Sequence, residues 1–463
     1  MTQVDRLSPA SWRSEFAATF ALAWPLAAAN LLQMLVHAVD VMFVARLGQQ
    51  ELAAVSLSIA LFGLLMWAFS GLTGIVAALI AEELGRRKHS VREVRRSTRM
   101  ALWLAVVCGA LGMAGCLAGP ALMRLTGQDE AIILLADRFL RIIIWAMIPM
   151  ILANVLRCFV SALGRPVFAT LITASAIAVS ALGNYALVFG HFGAPELGLE
   201  GSALASVITA LFILCAYVIA ILWDRRLRRY RIFGNWWKPE WSRLRELVVL
   251  GLPVALTIVA EAGLFSGAAF IMGRIGPAEL AAHTVALQIA ALAFQIPFGI
   301  GQAATIRVGY HYGSRDRQAI TRAGWASLAM ATGFAMASAA VMLAFPRFVL
   351  QIYVDPGAAE NAILVSFALR YLLIAAAFQL VDGLQAVAAG ALRGLQDTRM
   401  PMVIALFSYW VPGMGMALWL GFRTPMQGTG VWIGLAAGLS FAAVLLLWRW
   451  TRRERLGLVQ HAS

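Results

Sequence analysis

Twelve apolar stretches, each long enough to cross a lipid bilayer, follow one another along this chain. They run at about 16–44, 52–81, 97–120, 131–162, 167–190 and 199–223, then 246–273, 278–311, 319–345, 360–392, 400–422 and 427–449. A helical span needs about 20 mainly apolar residues, because the hydrocarbon core is about 30 Å thick. Only 13% of the residues are charged and 61% are hydrophobic, whereas a soluble protein is about 25% charged. So few charges cannot cover a water-facing surface, and the chain reads as an integral membrane protein. Residues Met1 to Glu15 mix Asp5, Arg6, Arg13 and Glu15 and lead into no short apolar region with a small-residue cleavage site, so no secretory leader is expected. Cys108, Cys116, Cys158 and Cys215 lie inside apolar stretches without C-x-x-C spacing. They read as small apolar fillers, and neither a disulfide scaffold nor a zinc site is expected.

The formal net charge of +14 is distributed in alternate loops. Arg86, Arg87, Lys88, Arg92, Arg95, Arg96 and Arg99 follow span 2, and a longer basic run from Arg225 to Arg245 follows span 6. Arg315, Arg317 and Arg322 follow span 8, Arg393 and Arg399 flank the turn after span 10, and Arg452, Arg453 and Arg455 close the chain. The intervening loops hold mostly single basic residues, such as Arg46, Arg124, Arg274, Arg347 and Arg423. Positive charge is retained on the cytoplasmic side, so both termini are expected in the cytoplasm. The lipid bilayer is the partner this basicity reports; no folded basic patch for nucleic acid is apparent.

The two halves repeat at an offset of 228 residues. Pro25 matches Pro253, Arg46-Leu47-Gly48 matches Arg274-Ile275-Gly276, Glu51-Leu52-Ala53-Ala54 matches Glu279-Leu280-Ala281-Ala282, and Gly71 and Gly85 match Gly299 and Gly313. Ala162-Leu163 later aligns with Ala391-Leu392. Six spans per half give both halves one orientation. The expected fold is therefore all-α and integral to the membrane: twelve transmembrane helices in two parallel six-helix lobes, with pseudo-twofold symmetry along the membrane normal. The N-lobe is expected over residues 1–230 and the C-lobe over 231–463, joined by the basic, aromatic stretch 224–245 with Trp236, Trp237, Pro239 and Trp241. Parallel repeats of this kind usually enclose a central substrate cavity, which points to a transporter.

A charge near the bilayer midplane costs at least about 2.5–3.5 kcal/mol, so each one asks for an explanation. Glu82 and Glu83 precede Arg86 and Arg87 by one turn, a surface ion-pair pattern, and Asp137 lies beside Arg138 and Arg141. Of the 23 acidic residues, Asp40, Glu261 and Asp382 remain well inside spans. Glu261 and Asp382 lie near mid-depth, and Asp40 about 9 Å of helix before Arg46. In the repeat Glu261 falls opposite Gln33, Asp40 opposite Ala268, and Asp382 at or beside Asn154, so the acidic bias belongs to the second half. Gln33 and Asp40 are seven residues apart on nearly one helix face. Arg157 and Arg370, the nearest basic residues, lie toward helix ends. A buried carboxylate without a cationic partner either takes up a proton or binds a cation such as Na+. A protonated acid making one interhelical hydrogen bond is the structural alternative.

Other groups carry less. His37, one turn before Asp40, either modulates it or packs; His283 and His311 are expected at the two interfaces. Trp67, Phe69, Phe265, Phe294 and Phe298 offer ring faces to flat cations or face lipid. Gln33, Gln288, Phe294, Glu261 and Asp382 are the candidate substrate contacts. Pro25, Pro149, Pro253 and Pro297 interrupt spans as hinges or as tolerated kinks. Neither G-x-x-x-x-G-K-[ST] nor H-E-x-x-H occurs, nor do paired aspartates of the polyprenyl-transferase kind. No catalytic residue and no cofactor are expected.

The stretch Trp24-Pro25 through Asn30 to Val39-Asp40-Val41-Met42 and Arg46-Leu47-Gly48 resembles the first helix of the multidrug and toxic compound extrusion (MATE) transporters of the MOP flippase superfamily. Gly251-Leu252-Pro253 with Glu261, and Ala282-His283 through Pro297 to Arg307-Val308-Gly309, resemble helices seven and eight of its NorM branch. Phe378-Gln379-Leu380-Val381-Asp382, then Ala388-Ala389-Gly390-Ala391-Leu392-Arg393-Gly394 and Asp397-Thr398, is the most specific piece. The resemblance covers essentially the whole chain. It implies a cation-coupled antiporter that expels organic cations and amphipathic drugs by rocking between two states; the chain is expected to act as a monomer. It further implies a proton or sodium site at Asp40 with Asn184 and Ser206, and a C-lobe cation site at Glu261 and Asp382 that also attracts cationic substrate. Val188 stands where the archaeal DinF-like branch has a second acid, which fits NorM. Phe378 stands where some NorM members have Tyr, which leaves the C-lobe ion coordination open. The alternative is a lipid-linked oligosaccharide flippase of the same superfamily, which would want a cationic cavity for a pyrophosphate head. A lipid-modifying enzyme would need clustered catalytic groups, and a scaffold would have no reason to bury carboxylates.

Overall fold

A computed structural model describes residues 11–87 and 90–459. Twelve helices are long and apolar enough to cross a membrane: α1 Trp12–Ala45, α2 Gln49–Arg86, α3 Ser90–Leu117, α4 Glu130–Ala162, α5 Val167–Phe189, α6 Leu199–Trp223, α7 Trp241–Ile275, α8 Pro277–Gly313, α9 Arg317–Ala344, α10 Ala359–Gly394, α11 Arg399–Arg423 and α12 Gly428–Thr451. No strand occurs among the described residues. In hydrocarbon a backbone must satisfy its own N–H and C=O groups, and a helix does this within one segment. The fold is that of an all-α, multi-pass membrane protein with twelve spans.

Several helices run past the apolar segments that announce them. α2 continues to Arg86 and α3 begins at Ser90, because their charged ends find partners. α11 carries a π-helical turn at Tyr409–Gly413 around Pro412. Proline lacks an N–H and its ring crowds the carbonyl four residues back, and a widened turn relieves both.

The chain forms two compact units, Ala28–Ala255 and Leu256 onward together with the segment ending at Ala27. Each division falls inside a helix, α1 or α7, rather than in the loop that joins the sequence repeats. Within the second unit helices close on glycine. A Cβ on Gly299 of α8 would lie 2.7 Å from the Ala27 backbone nitrogen, and one on Gly430 of α12 would lie 2.7 Å from the Leu420 carbonyl oxygen. Gly390 of α10 leaves no room at all beside the Gly301 carbonyl of α8, and Thr305 Oγ1 donates across the same seam to the Gly390 carbonyl at 2.8 Å. Without a hydrophobic drive between helices in lipid, such close backbone approach supplies the packing. Gly390→Ala should therefore destabilise the protein by about 1–3 kcal/mol, read as a lower unfolding midpoint in detergent. Gly333→Ala, which meets nothing within 4 Å, should leave it unchanged.

The first unit ends in an ion network that corrects one expectation. Glu82 and Glu83 are not a surface pair: they are 4% and 3% exposed. Glu82 pairs with Arg86, and Glu83 lies 3.3 Å from Arg243. Arg243 also pairs with Glu93, and Glu240 takes both Arg96 and, at 2.6 Å, Arg99. Arg95 Nε donates to the Tyr230 carbonyl at 2.6 Å and Trp103 Nε1 to the Trp236 carbonyl at 2.7 Å. The stretch 224–245 is thus bound along α3. A run of charges looks solvated in sequence; here both signs converge, and pairing makes burial tolerable. His283 and His311, toward the two ends of α8, are both buried within the protein. His283 sits edge-on to Trp432 at 5.5 Å between centroids.

Candidate functional site

In the first unit α1, α5 and α6 converge on one carboxylate. Asp40 Oδ1 accepts from Ser180 Oγ at 2.8 Å and from Asn184 Nδ2 at 2.7 Å, while Oδ2 accepts from Ser206 Oγ at 3.0 Å. Ser180 and Asn184 are one turn apart on α5, so both project to the same face. Asp40 is 7% exposed, and Ser180 and Asn184 are wholly buried. Asn184 Nδ2 also donates to the Ser180 carbonyl at 2.9 Å, whereas its Oδ1 is buried with no hydrogen-bond partner. His37 lies near enough to act on the Asp40 charge. The cluster offers carboxylate, hydroxyl and amide oxygens with one acceptor unspent. Such a donor set suits a hard monovalent cation, and it equally suits a carboxyl that gains and loses a proton. The structure brings together Asp40, Asn184 and Ser206. Ser180 was missed, although a hydroxyl one turn before an asparagine in an apolar helix is a readable signal.

The second unit carries the other pair of acids, on α7 and α10. Asp382 is 5% exposed and Oδ1 accepts from Gln385 Nε2 at 3.1 Å. Gln385 Oε1 in turn accepts from the Tyr409 hydroxyl at 2.5 Å, in the π turn of α11. Glu261 is half-buried and close enough to Asp382 for the two carboxyls to interact. The Arg393 guanidinium lies within electrostatic reach of Glu261. Arg393 closes α10 and Arg399 opens α11, so the two flank the turn between these helices, and it is Arg393, not Arg157 or Arg370, that comes within reach of Glu261. Arg157 Nη2 donates to Asn30 Oδ1 at 2.5 Å in the first unit, and Arg370 is exposed. A tyrosine hydroxyl is present after all beside the acid, but from α11 rather than from position 378. Phe378 packs its ring edge-on to Phe265 at 6.1 Å and to Trp432 at 5.5 Å.

The remaining candidates scatter. Gln33 is half-buried on α1 and Gln288 is exposed on α8. Phe294 stacks on Phe298 at 5.8 Å between centroids. Val188 is fully buried, one turn beyond Asn184. The largest omission is another acid, Glu15, wholly buried near the start of α1. Arg307 of α8 grips it with Nε at 2.8 Å and Nη2 at 2.6 Å, and His311 Nε2 stands 3.3 Å away. The two-toothed contact is the strong geometry for Arg and carboxylate.

The sequence pattern that defines the MatE family matches residues 25–186 and again 253–419, two matches that start at the repeat-related prolines. The chain belongs to the MatE family. It is 41% identical over 441 residues to a probable multidrug resistance protein NorM of Brucella suis, covering 95% of this chain and 94% of that one. A protein of the same description from Mesorhizobium japonicum is 39% identical over 445 residues, covering 96% and 95%. Among solved structures, the eukaryotic MATE transporter AtDTX14 superposes with a TM-score of 0.85 at 19% identity, over 96% of this chain and 99% of that one. An outward-facing multidrug resistance MATE transporter of the MOP superfamily gives 0.85 at 20% identity, over 97% of each chain. These establish the fold. Membership of MatE makes the chain a transporter rather than an enzyme.

Proposed function

We propose that this MatE protein exports cationic and amphipathic drugs by antiport against Na+ or H+, from a bacterial inner membrane with both termini in the cytoplasm. The observation that carries the coupling reading is the Asp40 cluster. A carboxylate held by three side-chain donors, beside an amide oxygen with no partner, is built to change its occupant. Asp40, Asn184, Ser206 and Ser180 would hold the ion; Glu261 and Asp382 supply negative charge for a cationic substrate or a second ion. The multidrug description of relatives at about 40% identity supports the substrate class. The interior acids argue against a pyrophosphate-headed lipid substrate, which a cationic cavity would serve.

The test is dye export in inverted vesicles energised by a sodium gradient alone and then by a proton gradient alone. Export under one gradient names the ion; export under neither sinks the antiport reading. Glu261→Gln with Asp382→Asn should lower export of a monovalent cationic dye far more than that of a neutral amphipath, because only the cation uses the charge. Tyr409→Phe removes one hydrogen bond to Gln385, worth about 1 kcal/mol. It should weaken dye affinity by less than about ten-fold, as read by a fluorescence titration.

A further inference from the structure

The pair α5 and α6 does more than hold Ser180, Asn184 and Ser206. At one end the helices nearly touch: a Cβ on Gly183 would lie 3.2 Å from that of Ala205, and Gly201 sits against the Leu187 carbonyl. Toward the other end they part, and a groove of about 570 Å³ opens between Phe168 of α5 and Phe212, Cys215, Ile219 and Trp223 of α6, with Asp224 at its mouth. The α6 residues recur at spacings of three and four, one continuous stripe. From Phe212 to Trp223 the helix rises about 16 Å, the depth of one leaflet of a core about 30 Å thick. Trp223 is 83% exposed, where interfacial tryptophans sit at the headgroup level.

The mouth is cationic. Arg165 Nη2 lies 3.4 Å from Asp224, and Arg165 Nε is buried with no hydrogen-bond partner. The Asp224 carboxylate is already committed: Oδ1 accepts from the Arg226 nitrogen at 2.8 Å and the Leu227 nitrogen at 3.3 Å, capping the turn Arg225–Arg228. Arg225, Arg226, Arg228 and Arg229 beyond it are exposed. Arg165 thus pairs with one spent carboxylate and four exposed arginines follow it in the chain, a basic segment that repels the cationic substrates of the proposed transport and attracts a phosphate.

We propose that this groove seats one acyl chain of an anionic phospholipid, with the lipid phosphate held by Arg165 and the arginines that follow Asp224. The apolar stripe receives the chain, its length matches a leaflet, and the basic mouth selects the headgroup. Cys215 lies midway along the groove and is exposed, whereas Cys108 and Cys116 are buried, so it reports occupancy.

The experiment places the full-length protein in nanodiscs of phosphatidylcholine alone or mixed with phosphatidylglycerol. Alkylation of Cys215 by a membrane-permeant maleimide is then followed by peptide mass spectrometry. The expected result is slower alkylation in the anionic mixture. Each of Arg165→Gln, Arg225→Gln and Arg226→Gln should cut that preference by about five-fold. Ala216→Trp, which fills the groove without touching the arginines, should make the rate independent of lipid and should abolish retention of phosphatidylglycerol in native mass spectra. Equal rates in both lipids for the wild-type chain would overturn the proposal. So would protection that survives the arginine substitutions, or retention of phosphatidylglycerol undiminished by Ala216→Trp.

Discussion

Asp40→Asn will reduce gradient-driven dye export to the level of vesicles without the protein, yet leave the fold within about 1 kcal/mol of wild type. The two outcomes separate because an amide can be accommodated where a carboxylate stood. Its oxygen still accepts from Ser180 and Asn184; Ser206, a hydroxyl, turns from donor to acceptor; and the Asn184 Oδ1 that lacks a partner can take the new N–H. What the amide cannot do is exchange a proton or offer a full negative charge to Na+, and the proposed coupling requires one or the other. The measurement pairs export under each gradient with thermal unfolding in detergent. Export at the wild-type rate from a stable Asp40→Asn protein would make the carboxylate structural. A protein that unfolds would instead show that the charge itself holds α1, α5 and α6 together.

The second large effect concerns stability. Arg307→Leu should cost about 3–5 kcal/mol, because Glu15 would remain as a buried carboxylate stripped of its two-toothed partner. Arg307 is 1% exposed at its side chain and Glu15 0%, so water cannot replace the lost contact. Removing both charges, Glu15→Leu with Arg307→Met, should recover most of the loss, since a packed apolar pair needs no compensation. The exposed pair of Arg124 and Glu130, with side chains 56% and 59% accessible, is the control: Arg124→Ala should not move the unfolding midpoint measurably. If Arg307→Leu and Arg124→Ala behave alike, burial does not govern the first pair.

The spans were legible because hydrocarbon imposes the same arithmetic on every one of them, and the repeat was legible because identities such as Glu51 and Glu279 recur without a gap. Asp40, Glu261 and Asp382 stood out because a carboxylate inside an apolar run has no cheap explanation. Glu15 escaped the same logic: it lies just outside its apolar run, amid Arg13 and Ser14, and only the folded chain brings Arg307 to it. Glu82 and Glu83 misled for the converse reason, since their partners one turn away suggested a solvated face while Arg243 and Glu93 enclose them. Ser180 and Gln385 sit one turn from residues that were singled out, and helical spacing alone could have added them. Tyr409 could not have been found that way. Its hydroxyl reaches Gln385 from another helix, through a turn widened by Pro412, and no linear spacing encodes that approach.

The division of the chain inside α1 and α7 bears on how such a protein can be cut or inherited. A fragment that stops at the end of one sequence repeat lacks part of its own structural complement. Residues 241–255 would be missing from the first unit, and with them Gly251, which lies against the Leu72 carbonyl. The second unit would in turn lack the segment ending at Ala27 that Gly299 packs upon. A gene encoding a single repeat would therefore yield a self-complete product only as a pair, each copy lending the other half a helix. In a split-gene experiment, fragments cut between Ala255 and Leu256 should reassemble less readily than fragments cut in the 224–240 connection, where the break leaves α7 whole.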